Sequence, residues 1–141
     1  MRFLEGQAEA GNIALVEHIN RHRSLVQLML ARDGYGVLVA SSGAEALRLF
    51  EIWPDIHIDL VIVDLMMPEM NGVELAARLH ALRPDLPVLH FSGYTDQEPL
   101  RQTHDQAPFI AKPFTPPQLT KKIREILDAA KTASAGSSDS E

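Results

Sequence analysis

The sequence predicts one α/β domain, a five-stranded parallel sheet doubly wound with helices on both faces. Three observations predict it. Five short apolar runs alternate with segments of helical periodicity, and short connections between them imply right-handed crossovers. The runs "NIALV" (12–16), "DLVIV" (59–63) and "LPVLHF" (86–91) are apolar on both faces, as parallel strands covered from both sides require. Four of the helical segments open on one start signal, a capping hydroxyl or amide three residues before Glu or Gln.

In chain order, "NIALV" is the first strand, and the helix after it carries Leu25, Leu28 and Met29. "GVLVA" (36–40) is the second strand. Ser42 and Glu45 then open a helix whose Ala46, Leu49, Phe50 and Trp53 fall at i, i+3, i+4 and i+7, one apolar stripe that Pro54 closes. After the third strand, Asn71 and Glu74 open the third helix, and Pro84 follows it. Thr95 and Glu98 open a fourth helix beyond the fourth strand. "PFIA" (108–111) is the fifth strand. Thr115 and Gln118 open the fifth helix, with Pro116 at the first helical position, where its missing N–H is no loss. Leu119, Ile123, Ile126 and Leu127 form the stripe of that helix. The expected domain covers residues 12–130. Residues 1–11 read as a leader or linker. Residues 131–141 read as a disordered tail, since "TASAGSSDSE" is small, polar and low in complexity.

Composition narrows the function. The 141 residues suit a single domain, and 45% hydrophobic content is enough for one core. A net charge of −6 argues against a nucleic-acid surface, which needs basic groups to replace counterions, and against an anionic membrane face. With no cysteine, disulfides and thiolate metal sites are excluded. The start "MRFLEGQAEAG" lacks the apolar core of a signal peptide. No apolar run approaches the roughly 18 residues of a membrane span. The expected location is the cytoplasm.

Sheets of this kind bind ligands beyond the carboxyl ends of their strands. The first strand ends in Glu17-His18, the third in Asp64, the fourth in Ser92 and the fifth in Lys112, while the second ends in a helix cap. That set suits phosphoryl chemistry, with a carboxylate to carry the group and cations to hold its charge. His18 and His22 stand four apart, a metal-ligand spacing on a helix, but a strand end at His18 breaks that geometry.

The stretches "VDLMMPEMNG", "FSGYTD" and "KPFTPPQL", in that order, together with "DGYGVLVASSGAEAL", carry a resemblance. Over residues 12–130 the chain resembles the receiver domain of two-component response regulators. The wording "SGYTD" and "KPFTP" is most similar to receivers attached to hybrid sensor histidine kinases. The resemblance implies a flavodoxin-like fold with strand order 2-1-3-4-5. It implies that Asp64 accepts a phosphoryl group from a phosphohistidine on a histidine kinase or a histidine phosphotransfer protein. Lys112 would pair with that carboxylate and then with the phosphoryl oxygens, and Ser92 would turn its hydroxyl to the same group. Phe109 would be an aromatic switch that turns inward as Ser92 moves, although burial explains an aromatic there equally well. The Lys112–Pro113 bond would be cis. Mg²⁺ would be held by Glu17, Asp64 and the backbone carbonyl of Met66. Met66 and Tyr94 would tune dephosphorylation.

His18 departs from the family pattern, which has a second acid in its place. Mg²⁺ is hard and prefers oxygen, whereas imidazole suits Mn²⁺, Ni²⁺, Cu²⁺ or Zn²⁺, so Mn²⁺ is an alternative to Mg²⁺. A protonated His18 would replace part of the ion's charge but not its coordination. The expected function is that of a phosphoacceptor domain and not of an enzyme acting on a separate substrate. Its expected docking face, also the face for a homodimer, is the fourth helix, fifth strand and fifth helix. The alternative is a phosphorylation-independent pseudo-receiver, an interaction module supported by His18 alone. A small-molecule enzyme on the same fold finds no further cofactor motif. The residues after Lys112 leave room for one helix and a tail, so the expectation is either a domain that acts alone by docking on a partner or one excised from a longer chain.

Overall fold

The computed structural model describes residues 10–92 and 108–139. Its strands are β1 (Asn12–Val16), β2 (Gly36–Ala40), β3 (Leu60–Asp64), β4 (Val88–Ser92) and β5 (Phe109–Ala111). They form one parallel sheet in the order β2-β1-β3-β4-β5, as expected. The helices are α1 (Asn20–Arg32), α2 (Gly43–Ile52), α3 (Gly72–Leu82) and a C-terminal helix (Pro116–Asp139). The helix expected from Thr95, and Tyr94 with it, lies outside the described residues.

Period-2 alternation divides the strand side chains between two cores. Ala14, Val16, Val61, Val63 and Val88 point to one face and pack with Ala46 and Phe50 of α2 and Leu75 and Leu79 of α3. Ile13, Leu15, Leu60, Ile62, Leu89 and Phe91 point to the other and pack with Val26 and Leu30 of α1 and Leu119 and Ile123 of the C-terminal helix. The sheet is therefore covered on both sides, which is why β1, β3 and β4 are buried at every position.

Within the described residues, three of the four start signals cap their helices. Ser42 Oγ accepts from Glu45 N at 3.1 Å, and the Glu45 carboxylate accepts from Ser41 N at 2.6 Å. Asn71 Oδ1 accepts from Glu74 N at 2.9 Å. At Thr115 the box is reciprocal: Gln118 N donates to Thr115 Oγ1 at 3.3 Å, and Thr115 N to Gln118 Oε1 at 2.8 Å. At the far end of α3, the Arg83 guanidinium donates to the carbonyls of Ile56 (2.6 Å) and Pro54 (2.8 Å) and stacks over Phe50 at 4.7 Å. This clasp ties α3 to the turn that feeds β3.

Three expectations need correction. The buried stripe of α1 is Val26 and Leu30 with Met29 beside them, and Leu25 and Leu28 face outward. Neighbouring positions differ by about 100° around a helix, so a one-residue error in phase turns a stripe to solvent. Trp53 is not in the α2 stripe but follows the helix, partly exposed. The C-terminal helix continues through Asp139, past residue 131, where a disordered tail was expected. Alanines 129, 130, 133 and 135 favour helix strongly, and no proline interrupts them.

Candidate functional site

The strand register brings the sequence-predicted residues to one edge. Val16 pairs with Val63, Asp64 with Phe91, and Ser92 with Ala111. The ladder continues one step further, since Glu17 N donates to Ala40 O (3.1 Å), Leu65 N to Phe91 O (2.9 Å) and Lys112 N to Ser92 O (2.7 Å). Glu17, Asp64, Ser92 and Lys112 are thus held by main-chain hydrogen bonds at or next to their own positions. Glu17, Asp64 and Ser92 are buried, and the Lys112 side chain is partly exposed.

Asp64 is the last residue of central strand β3. Its Oδ1 accepts from Met66 N at 3.2 Å, and its Oδ2 lies 3.5 Å from Lys112 Nζ and 3.8 Å from His18 Nδ1. Lys112 Nζ also lies 3.6 Å from Glu17 Oε1, so one ammonium bridges two buried carboxylates. His18 Nδ1 lies 3.5 Å from Glu17 Oε2. The cluster carries more anionic than cationic valence in a desolvated place. Burial, then the neighbouring Asp64, pushes the Glu17 carboxyl up to about 7, against the pull of Lys112 and the Ile19 amide. A proton there partly does what a cation would do.

Local chain geometry explains the close fit. Gly72 opens α3 directly beside Asp64. A Cβ on it would stand 2.9 Å from Leu65 Cα, 3.0 Å from the Asp64 carbonyl oxygen and 3.1 Å from His90 Nδ1, distances at which backbone must move. Glu69, in the loop between Asp64 and α3, has φ of 70°. The Lys112–Pro113 bond is cis, as expected.

Other expected residues are placed as follows. Phe109 begins β5 and is 39% exposed, so its side chain is not in the core. The aromatic packed beneath the site is instead Phe91, whose ring lies 4.8 Å from that of Phe114. Met66 is exposed at the site's rim. His18 precedes α1, so it and His22 do not share a helix face. Even so, His22 Nδ1 comes within 3.8 Å of Glu17 Oε1 from the first turn of α1. Sequence reasoning missed that approach, because helical i,i+4 spacing cannot describe a residue in the turn before a helix.

His90 lies within β4. It is 1% exposed, beneath Gly72, and its Nδ1 has no hydrogen-bond partner among the described residues. Burial, then nearby His80, brings its pKa down to about 4, so it is neutral at ordinary pH.

Glu17, His18 and Asp64 offer one ligand atom each, all within 4.8 Å of one another, which is the arrangement of a divalent-cation site. Two buried carboxylates fit Mg²⁺, but the imidazole does not, since Mg²⁺ takes an octahedron of oxygens. Among the described residues no helix is long and apolar enough to cross a membrane.

Comparison with known proteins agrees with this geometry. Residues 13–124 match the model of the response regulator receiver domain. The chain is 33% identical over 121 residues to the sensor kinase CckA of Brucella abortus, covering 84% of this chain and 13% of that protein. It is 32% identical over 120 residues to the response regulator receiver protein CpdR of the same organism, covering 84% of this chain and 98% of that one. The crystal structure of the receiver domain from the hybrid histidine kinase CckA superposes with a TM-score of 0.70 at 31% identity, covering 83% and 99% of the two chains. This chain spans 46% to 52% of the length of several other curated relatives, transcriptional and response regulators among them. The fold, the motif order and this match over most of its length place the chain in the response regulator receiver domain family.

Proposed function

We propose that this domain is a working phosphoacceptor, in which Asp64 takes a phosphoryl group from a phosphohistidine on a histidine kinase or histidine phosphotransfer protein. Receiver domains are signalling domains that interact with such proteins. The observation that carries the proposal is a buried carboxylate at the end of the central strand with Lys112 Nζ 3.5 Å away. An Asp64 oxygen attacks phosphorus, the P–N bond breaks, and its electron pair leaves with the partner's imidazole, which takes up a proton. Asp64 is a weak nucleophile, so orientation and charge neutralisation must supply the rate.

Lys112 would hold the Asp64 carboxylate in the resting state and the phosphoryl oxygens afterwards. Its distance from both carboxylates suits that change of partner, because it is tethered by its backbone and free at its ammonium end. Ser92, next to Lys112 across the ladder, would present its hydroxyl to the same oxygens. Met66 would supply its backbone carbonyl to a bound ion alongside Glu17 and Asp64. Phe109 remains the proposed switch residue, with an inward rotation to make from its exposed position. The docking face, also the proposed homodimer face, would join β5, the C-terminal helix and residues outside the described part.

A second reading is favoured by one observation. His18 stands 3.8 Å from Asp64 in the place of an acid, which suits a phosphorylation-independent interaction module. Intact mass after incubation with acetyl phosphate, with Mg²⁺, with Mn²⁺ and without metal, separates the two. A phosphoryl adduct absent from Asp64→Asn supports the phosphoacceptor. No adduct in any condition, together with no transfer from a phosphorylated histidine phosphotransfer protein, overturns it.

A further inference from the structure

We infer that His18, Glu17 and Asp64 form a binding site for a nitrogen-accepting divalent cation of the later first transition row, Zn²⁺ foremost, in preference to Mg²⁺. The inference rests on the geometry of the cluster and stands whether or not Asp64 accepts a phosphoryl group.

Separations come first. His18 Nδ1 is 3.5 Å from Glu17 Oε2 and 3.8 Å from Asp64 Oδ2. Donors each about 2.0–2.2 Å from a tetrahedral Zn²⁺ stand roughly 3.3–3.5 Å apart. The two distances to His18 are thus within a few tenths of an ångström of that spacing, and all three donor atoms lie within 4.8 Å of one another. Two of the candidate donor groups also carry buried atoms without a hydrogen bond. Glu17 Oε1 and His18 Nδ1 are buried atoms with no hydrogen bond among the described residues, and the Glu17 side chain is fully buried. A buried carboxylate oxygen and a buried ring nitrogen without hydrogen bonds gain from a shared proton or metal, and Lys112 Nζ, 3.6 Å from Glu17 Oε1, is the cation that an entering metal displaces.

The donor chemistry selects the ion. One imidazole with two carboxylates resembles the nitrogen-plus-oxygen sets that hold Zn²⁺ and its neighbours, and affinity for such sets rises along the row toward copper and zinc. Mg²⁺ gains nothing from the imidazole and loses a carboxylate's charge at that position. Three protein donors leave open positions for water or a further oxygen. Lys112 does not block the ion, because its side chain is partly exposed and its ammonium can swing outward as the metal enters. His22, whose Nδ1 lies 3.8 Å behind Glu17 Oε1, is placed to orient that carboxylate from the second layer.

The full chain, freed of metal with a chelator, is titrated separately with Zn²⁺, Co²⁺ and Mg²⁺ against a chromophoric chelator. Co²⁺ also reports its ligand field by visible absorption. The expected result is one Zn²⁺ per chain, held on the order of 100-fold more tightly than Mg²⁺. His18→Ala lowers Zn²⁺ affinity at least tenfold and changes the Co²⁺ spectrum. His18→Asp lowers the preference for Zn²⁺ and tightens Mg²⁺. Wild-type protein that binds Mg²⁺ as tightly as Zn²⁺ overturns the inference without any variant. So does Zn²⁺ binding that survives His18→Ala unchanged, which would assign the ion to other histidines.

Discussion

His90 makes the stability of this domain depend on pH in a way that can be worked out in advance. Its pKa is about 4 in the folded protein, against 6.5 for a free imidazole. Between those values the unfolded chain binds a proton that the native state refuses. Stability from this group is therefore complete above about pH 6.5 and is lost as pH falls toward 4. The whole loss is about 3 kcal/mol, and about 2 kcal/mol of it falls between roughly pH 7 and pH 5. Glu17 acts in the opposite sense. Its folded pKa of about 7 lies above the free value of 4.5, so the native state holds the extra proton and stability falls as pH rises through that interval. The two slopes oppose each other over most of a shared window, so each offsets part of the other there. Replacing His90 with leucine removes one of them. Urea denaturation of metal-free protein at about pH 5 and pH 7 is the assay. His90→Leu is expected to lose stability as pH rises, and its difference from wild type should change by about 2 kcal/mol between the two pH values. The variant itself keeps apolar volume in the core and removes an unsatisfied nitrogen, so it should fold. A difference that is the same at both pH values refutes the reasoning, because it means that His90 is not held neutral by burial.

Two further outcomes test the site's construction. Gly72→Ala places a methyl group within 3.0 Å of Leu65 Cα and at 3.0 Å from the Asp64 carbonyl; it should destabilise the fold by roughly 1–3 kcal/mol and shift the amide resonances of residues 64–66, as read by denaturation and NMR. Lys112→Met removes the cation between two buried carboxylates, so the Glu17 carboxyl should titrate higher still, seen as an upward move of its carboxyl carbon titration by NMR; no move would mean that Lys112 does not reach Glu17 in solution.

What the sequence made legible follows from how strongly each feature constrains side chains. β1, β3 and β4 read clearly because strands buried on both faces are apolar almost throughout, His90 inside β4 being an exception. For the same reason Glu17, Asp64 and Ser92 announced themselves, each breaking an apolar run where the strand meets the sheet's edge. Lys112 was legible as the polar residue that ends the apolar run 108–111. The helix caps were legible because they are local. The phase of α1 was not, since Leu25, Leu28 and Met29 compete with Val26 and Leu30 and only the sheet decides which face it covers. The end of the C-terminal helix was hidden by small polar residues that look like a disordered tail in composition while tolerating helix. His22's approach to Glu17 depends on the turn between β1 and α1, which no periodicity encodes. Phe109 was legible as an aromatic that switching and burial explain equally well; it begins β5, the outermost strand, and is exposed there.

The Arg83 clasp has a mechanical consequence. It fixes the far end of α3 to the Pro54 and Ile56 carbonyls, while Gly72 seats the near end against the Asp64 carbonyl. The helix is thus held at both ends, against the site at Gly72 and at the opposite pole of the domain at Arg83, so a displacement of the chain around Asp64 would load α3 along its length and reach the turn that feeds β3.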